Sequence, residues 1–174
     1  MRRLLLSASL ALLFAPVPTL AQTETSAQEV VASSSGDTFN ISAVNELLAQ
    51  GDAEAASGDL TAAIDSYDKA RNAARSLLSF YRDLSGAFRG LDARIPREMD
   101  SKGREALGLL AESNLRLAAL FRRQNQPEVA VPVLVEVVKL MTPSQSQGQQ
   151  AYQSLVELGF VSTEFKGAAP AGAN

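Results

Sequence analysis

Among its 174 residues the chain has no cysteine and no histidine. The first absence removes disulfides, thiolate nucleophiles and structural Cys/His zinc sites, and the second removes imidazole as base or ligand. A basic surplus is missing too. Sixteen Lys and Arg stand against nineteen Asp and Glu, a formal charge of −3, whereas a nucleic-acid binder carries a basic excess. No nucleic-acid partner is expected on that ground. What remains is a globular balance, 46% hydrophobic and 20% charged, in a length that suits one domain.

The first residues read as a secretory signal. Arg2 and Arg3 form a basic start, and Leu4 to Phe14 is apolar apart from Ser7 and Ser9. Pro16 and Pro18 close that run, and Thr19-Leu20-Ala21 supplies small residues for cleavage. The run falls well short of the ~20 residues that span a bilayer, so no stable membrane span is expected after residues 1–21 are removed. Residues 22–40 are polar, small and aperiodic and read as a disordered linker, and residues 164–174 as a disordered tail. The folded part is placed at 41–163.

Within it the spacing predicts an all-α fold of about five helices. The stretch from Gly51 to Arg71 organises the rest. Gly58 suits a left-handed helix end, and Asp59 can cap the next helix. A first helix is placed from an N-cap at Ser42, with Val44, Leu47 and Leu48 inward. From Leu60 through Ile64, Tyr67, Ala70, Ala74, Leu77, Tyr81, Leu84, Phe88, Leu91 and Ile95, apolar residues step by three or four, which predicts one long helix. Gly86 and Gly90, one turn apart, offer a close approach to another helix. Ile95 precedes a proline and so should avoid the α region, with Pro96 opening the third helix. Helices two and three then form an extended central hairpin. The fourth helix, Glu128 to Leu140, follows a left-handed Asn125 and a leading Pro127. Its valines also favour strand, and Pro132 is placed where the backbone donor is spare. Thr142-Pro143-Ser144-Gln145 reads as a capping box for a fifth helix that stops at Gly159.

The residues Gly51, Gly58, Ala63, Tyr67 and Ala70 resemble the tetratricopeptide repeat family at that family's spacing, although Arg75 stands where its closing proline would be. Ala118, Phe121, Asn125, Ala130, Leu134 and Pro143 give a second copy about two ~34-residue periods on. The resemblance implies stacked helical hairpins and partner binding on the face of the first helices, at Asn45, Leu48 and Asp52, then at Glu112, Leu115, Ala119 and Arg122, with Gln149 and Gln153 in the last helix. The chain is also similar overall to uncharacterised exported proteins of photosynthetic bacteria, which implies the periplasm or thylakoid lumen.

A second candidate surface is the tip of the long hairpin, where Phe88, Arg89, Arg94 and Arg97 combine an apolar anchor with an arginine rim. A solvated, salt-bridged turn explains the same residues and weighs more. The carboxylates Asp92, Glu98 and Asp100 lack a partner that would set their acidities apart, and they lack calcium-loop spacing. Neither a catalytic residue nor a metal or other cofactor is therefore assigned. The chain reads as a non-catalytic, protein- or peptide-binding adaptor or assembly factor in an extracytoplasmic compartment. The alternative is a self-associating structural helical protein of the cell envelope.

Overall fold

The computed structural model describes residues 39–167. The signal peptide at 1–21, nearly all of the linker and residues 168–174 of the tail lie outside them. Among the described residues the chain is all-α, with α1 (Ile41–Ser57), α2 (Leu60–Ala87), α3 (Arg94–Arg123), α4 (Pro127–Met141) and α5 (Ser146–Glu157). None of these helices is long and apolar enough to cross a membrane.

The helix ends follow from local chemistry. Gly58 takes φ 91°, and Asp59 accepts the Ala62 N–H at 3.0 Å to start α2. The cap of α1 is Asn40, which accepts from the Ala43 N–H at 2.8 Å, and not Ser42, which lies inside the helix. An amide oxygen caps as well as a hydroxyl, so spacing alone does not separate the two. Asn125 is left-handed at φ 56° and Gly159 at φ 77°, as their positions suggest. At α5, however, the cap is Gln145 without a side-chain bond. Thr142 turns to φ 53°, and its hydroxyl meets that of Ser144 at 2.7 Å, so the expected capping box does not form.

The long second helix ends earlier than its stripe suggests. It stops at Ala87, Gly90 reverses the chain at φ 87°, and Leu91 is 79% exposed. Ile95 lies within the first turn of α3, where a restriction before proline is tolerated at a helix start. The close approach expected at Gly86 and Gly90 occurs at Gly103 instead. A Cβ on Gly103 would sit 3.7 Å from Cβ of Tyr81, whereas nothing lies within 4 Å of the other two.

Helix wins over strand in α4, since its buried residues Ala130, Val133, Leu134, Val137 and Met141 fall at helical spacing. Pro132 is the sixth residue, beyond the spare donors of the first turn. Its missing N–H therefore forfeits a helix bond, and burial of the opposite face carries the helix past it.

Each helix packs on the next, and in addition α1 touches α3 and α3 touches α5. One continuous core runs through Val44, Tyr67, Leu77, Leu117, Leu134 and Leu155. Phe39, just ahead of α1, meets Phe80 edge-on at 5.9 Å, which marks how far α1 reaches along α2. Beyond it, α2 and α3 close on each other through Tyr81, Met99 and Gly103, and the Ser85 hydroxyl donates to Asp100 at 2.6 Å.

Candidate functional site

An open cleft of about 420 Å³ lies between α3 and α5, lined by Glu112, Leu115, Arg116, Ala119, Gln147 and Gln150. Residues 112, 115, 116 and 119 share one face of α3 because they are three or four apart. Gln147 belongs to α5, and its amide donates to the Gly108 carbonyl of α3 at 3.1 Å. That bond fixes one wall of the cleft to the other.

Arg116 is the centre of the site. Its Nε and Nη2 donate to the two carboxylate oxygens of Asp52 at 2.9 and 3.2 Å, and Nη1 donates to Glu112 one turn away. Asp52 also accepts the Tyr67 hydroxyl at 2.6 Å. One guanidinium, a phenol and two carboxylates thus join α1, α2 and α3. The Arg116 hydrogen bond holds the Asp52 carboxyl below its usual range, against a smaller opposing effect of burial. Burial first, then the Asp52 hydrogen bond, pushes the Tyr67 hydroxyl up to about 12. For Arg116 burial pulls downward, yet its two carboxylates together raise it further above the ordinary guanidinium value. One positive charge against two negative ones leaves the cleft with an excess of one negative charge.

Of the groove residues named from sequence, Glu112, Leu115 and Ala119 line the cleft together. Asp52 stands beside them through Arg116. Asn45 is exposed two turns earlier in α1, on the same face as Asp52. Leu48 does not belong to this surface. It is buried in the core, because a leucine four residues after Val44 continues the inward stripe of α1. Arg122 is not a free cation either, since it donates to Glu157 at 2.9 Å and to Ser154 at 3.2 Å of α5. The last helix contributes Gln147 and Gln150 rather than Gln149 and Gln153, both of which are exposed and outside the cleft lining.

At the hairpin tip, Phe88 is half-buried, and Arg89 and Arg97 are exposed without an ion pair among the described residues. Arg94 is committed elsewhere. Its guanidinium and backbone N–H all bond to Asp92, a local arrangement that uses up the charge expected at the rim.

Sequence reading missed Arg116, Gln147 and Gln150. The Glu112–Arg116 pair at i,i+4 was visible, but such pairs are common on exposed helices, and Asp52 lies 64 residues away in the chain. Among the described residues no group of three or more acidic side chains is arranged to hold a metal ion. Comparison with family models, characterised proteins and solved structures finds no match.

Proposed function

We propose that the chain is a non-catalytic, protein-binding adaptor or assembly factor of an extracytoplasmic compartment, built in the manner of a tetratricopeptide repeat, that holds a partner segment between α3 and α5. The observation that carries this reading is the 420 Å³ cleft between α3 and α5, whose Arg116 bonds to Asp52 of α1. Its floor is apolar at Leu115 and Ala119, and its rim offers the Gln150 amide and the side-chain carbonyl of Gln147 to a peptide backbone. The excess of one negative charge around Arg116 favours a polar or basic segment over an acidic one. The basic, apolar start of the chain supports export.

A photo-crosslinking residue in place of the exposed Ala119 tests the proposal in an extract of the native envelope. A single crosslinked protein of defined mass, competed away by an excess of the unlabelled chain, is the expected result. A crosslink only to another copy of this chain instead favours the self-associating structural protein. Turnover of a small molecule by the purified chain, abolished at the cleft, contradicts the non-catalytic reading.

A further inference from the structure

A second recess lies on α2 and α3, toward the other end of α3. It holds about 230 Å³ between Leu78 and Arg82 of α2 and Met99, Asp100, Arg104 and Leu107 of α3. Arg104 is twelve residues from Arg116, or about 18 Å along the helix, so the two recesses are separate. Elsewhere Arg71, Arg75, Arg94, Arg116 and Arg122 each meet a carboxylate. Arg82, Arg89, Arg97, Arg104 and Arg123 meet none among the described residues, and of these Arg82 and Arg104 line the same recess from different helices. The one acid in the lining, Asp100, accepts a hydrogen bond from Ser85 on one of its oxygens. The floor is apolar, with Leu78 and Met99 buried and Leu107 half-buried.

We propose that this recess is an anchor for an acidic segment of a protein partner, with one carboxylate held between Arg82 and Arg104 and a neighbouring apolar side chain seated on Leu78, Met99 and Leu107. Two guanidinium groups lining one recess suit a carboxylate, which accepts paired N–H donors. Size sets the occupant. A volume of 230 Å³ is below the ~300–1,000 Å³ of pockets that enclose whole small molecules, and it accommodates one or two side chains of a longer chain. Mixed charge argues against a broad anionic surface as the target, since the six basic residues between Arg82 and Glu105 stand among five acidic ones. The chain as a whole is at −3, whereas a lipid surface is held by clusters of several basic residues. The acidic segment sought here is the electrostatic opposite of the one suited to the Arg116 cleft, so the two sites hold different parts of a partner.

The probe is a fluorescein-labelled peptide of alternating Glu and Leu, with a Gln and Leu peptide as control, titrated against the full chain by anisotropy at low salt. The Glu peptide is expected to bind more tightly than the control. Arg82→Gln with Arg104→Gln is expected to weaken it about tenfold or more, the scale of losing charge-assisted hydrogen bonds. Arg82→Lys with Arg104→Lys keeps part of the affinity, since charge remains but the paired geometry does not. Ala119→Arg, which blocks the other cleft, leaves it unchanged, so this proposal and the preceding one fail separately. In the unaltered chain, methyl signals of Met99 and Leu78 are expected to shift on adding the peptide. Equal binding of the Gln peptide overturns the proposal, as does an undiminished affinity in the Gln variant. Shifts at Leu115 in place of Met99 overturn it too, and so does binding of phosphatidylglycerol vesicles by a chain that ignores the Glu peptide.

Discussion

The ring of Tyr67 fills the space that a side chain at Gly51 would need. A Cβ built on Gly51 collides with the ring edge and would come within 3.1 Å of Cζ. Gly51 is thus required by a neighbour in α2 rather than by its own backbone, which is ordinary helix. The same contact aims the hydroxyl at Asp52, the next residue of α1. Gly51→Ala is expected to destabilise by about 1–3 kcal/mol through overpacking. Gly108→Ala makes the opposite test, because nothing lies within 4 Å of its Cβ. It is expected to stabilise by roughly 0.5–1 kcal/mol, the helix preference of Ala over Gly. Urea unfolding of both variants reads the two signs, and a stable Gly51→Ala protein contradicts the packing described here.

The hydroxyl of Tyr67 also makes stability depend on pH at the alkaline end. Its folded pKa is raised to about 12 from an ordinary value near 10. A raised value means that the folded state holds its proton more tightly than the unfolded chain. The contribution is therefore complete below pH ~10 and is lost as pH climbs from there toward 12. Asp52 runs the other way. Its lowered value gives stability above the usual carboxylate range that is lost as pH falls through and below it. Melting curves of the native chain and Tyr67→Phe are expected to converge above pH ~10. A constant gap from neutral pH to the alkaline limit counts against the Tyr67–Asp52 hydrogen bond.

Gly148 tests how α5 is held. A Cβ there would overlap the backbone carbonyl of Thr142, and a backbone atom cannot swing away as a side chain can. Gly148→Ala is expected to undock α5 and so to separate Gln147 and Gln150 from the α3 wall of the cleft. Hydrogen exchange at Ala151 and Leu155 should rise sharply, while exchange in α2 stays close to native. Protection retained across α5 in this variant excludes a tight α4–α5 turn.

The helices were largely legible because their signals are local. Gly58, Asp59, Asn125 and Gly159 act within one turn of where they stand, and the burial of Ala130, Leu134 and Val137 repeats at the period of a helix. Signals failed where two local readings compete or where the partner is distant. Asn40 and Ser42 both cap acceptably. The stripe through Phe88 and Leu91 continues past a chain reversal that Gly90 makes with a positive φ. For the cleft, three residues of α3 were found because they share a helix face. The centre was not, because the meaning of Arg116 depends on Asp52, which only the packing of α1 on α3 brings near. Leu48 was ambiguous for a related reason, since a leucine satisfies an inward stripe and an apolar groove alike.

The contacts also rank three substitutions that sequence position does not. Tyr67 is 3% exposed, packs on Gly51 and bonds to Asp52. Removing its ring creates a cavity, and Tyr67→Ala is expected to cost about 3–5 kcal/mol. Arg116 is half-buried and joins α3 to α1, but Asp52 is half in solvent and screens the pair. Arg116→Ala is expected to cost roughly 1 kcal/mol, between an exposed pair and a buried one, and less in an Asp52→Asn background, where the carboxylate it neutralises is gone. Arg94 bonds only to Asp92, two residues away in the same turn, and its side chain is 88% exposed. Holding that long side chain in place offsets what the pair contributes, so Arg94→Ala is expected to leave the urea midpoint unchanged. The three midpoints, measured with a common m value, should fall in that order. If Arg94→Ala matched Arg116→Ala, the link from α1 to α3 would contribute no more than a surface pair, and the Arg116 cleft would need another source of rigidity.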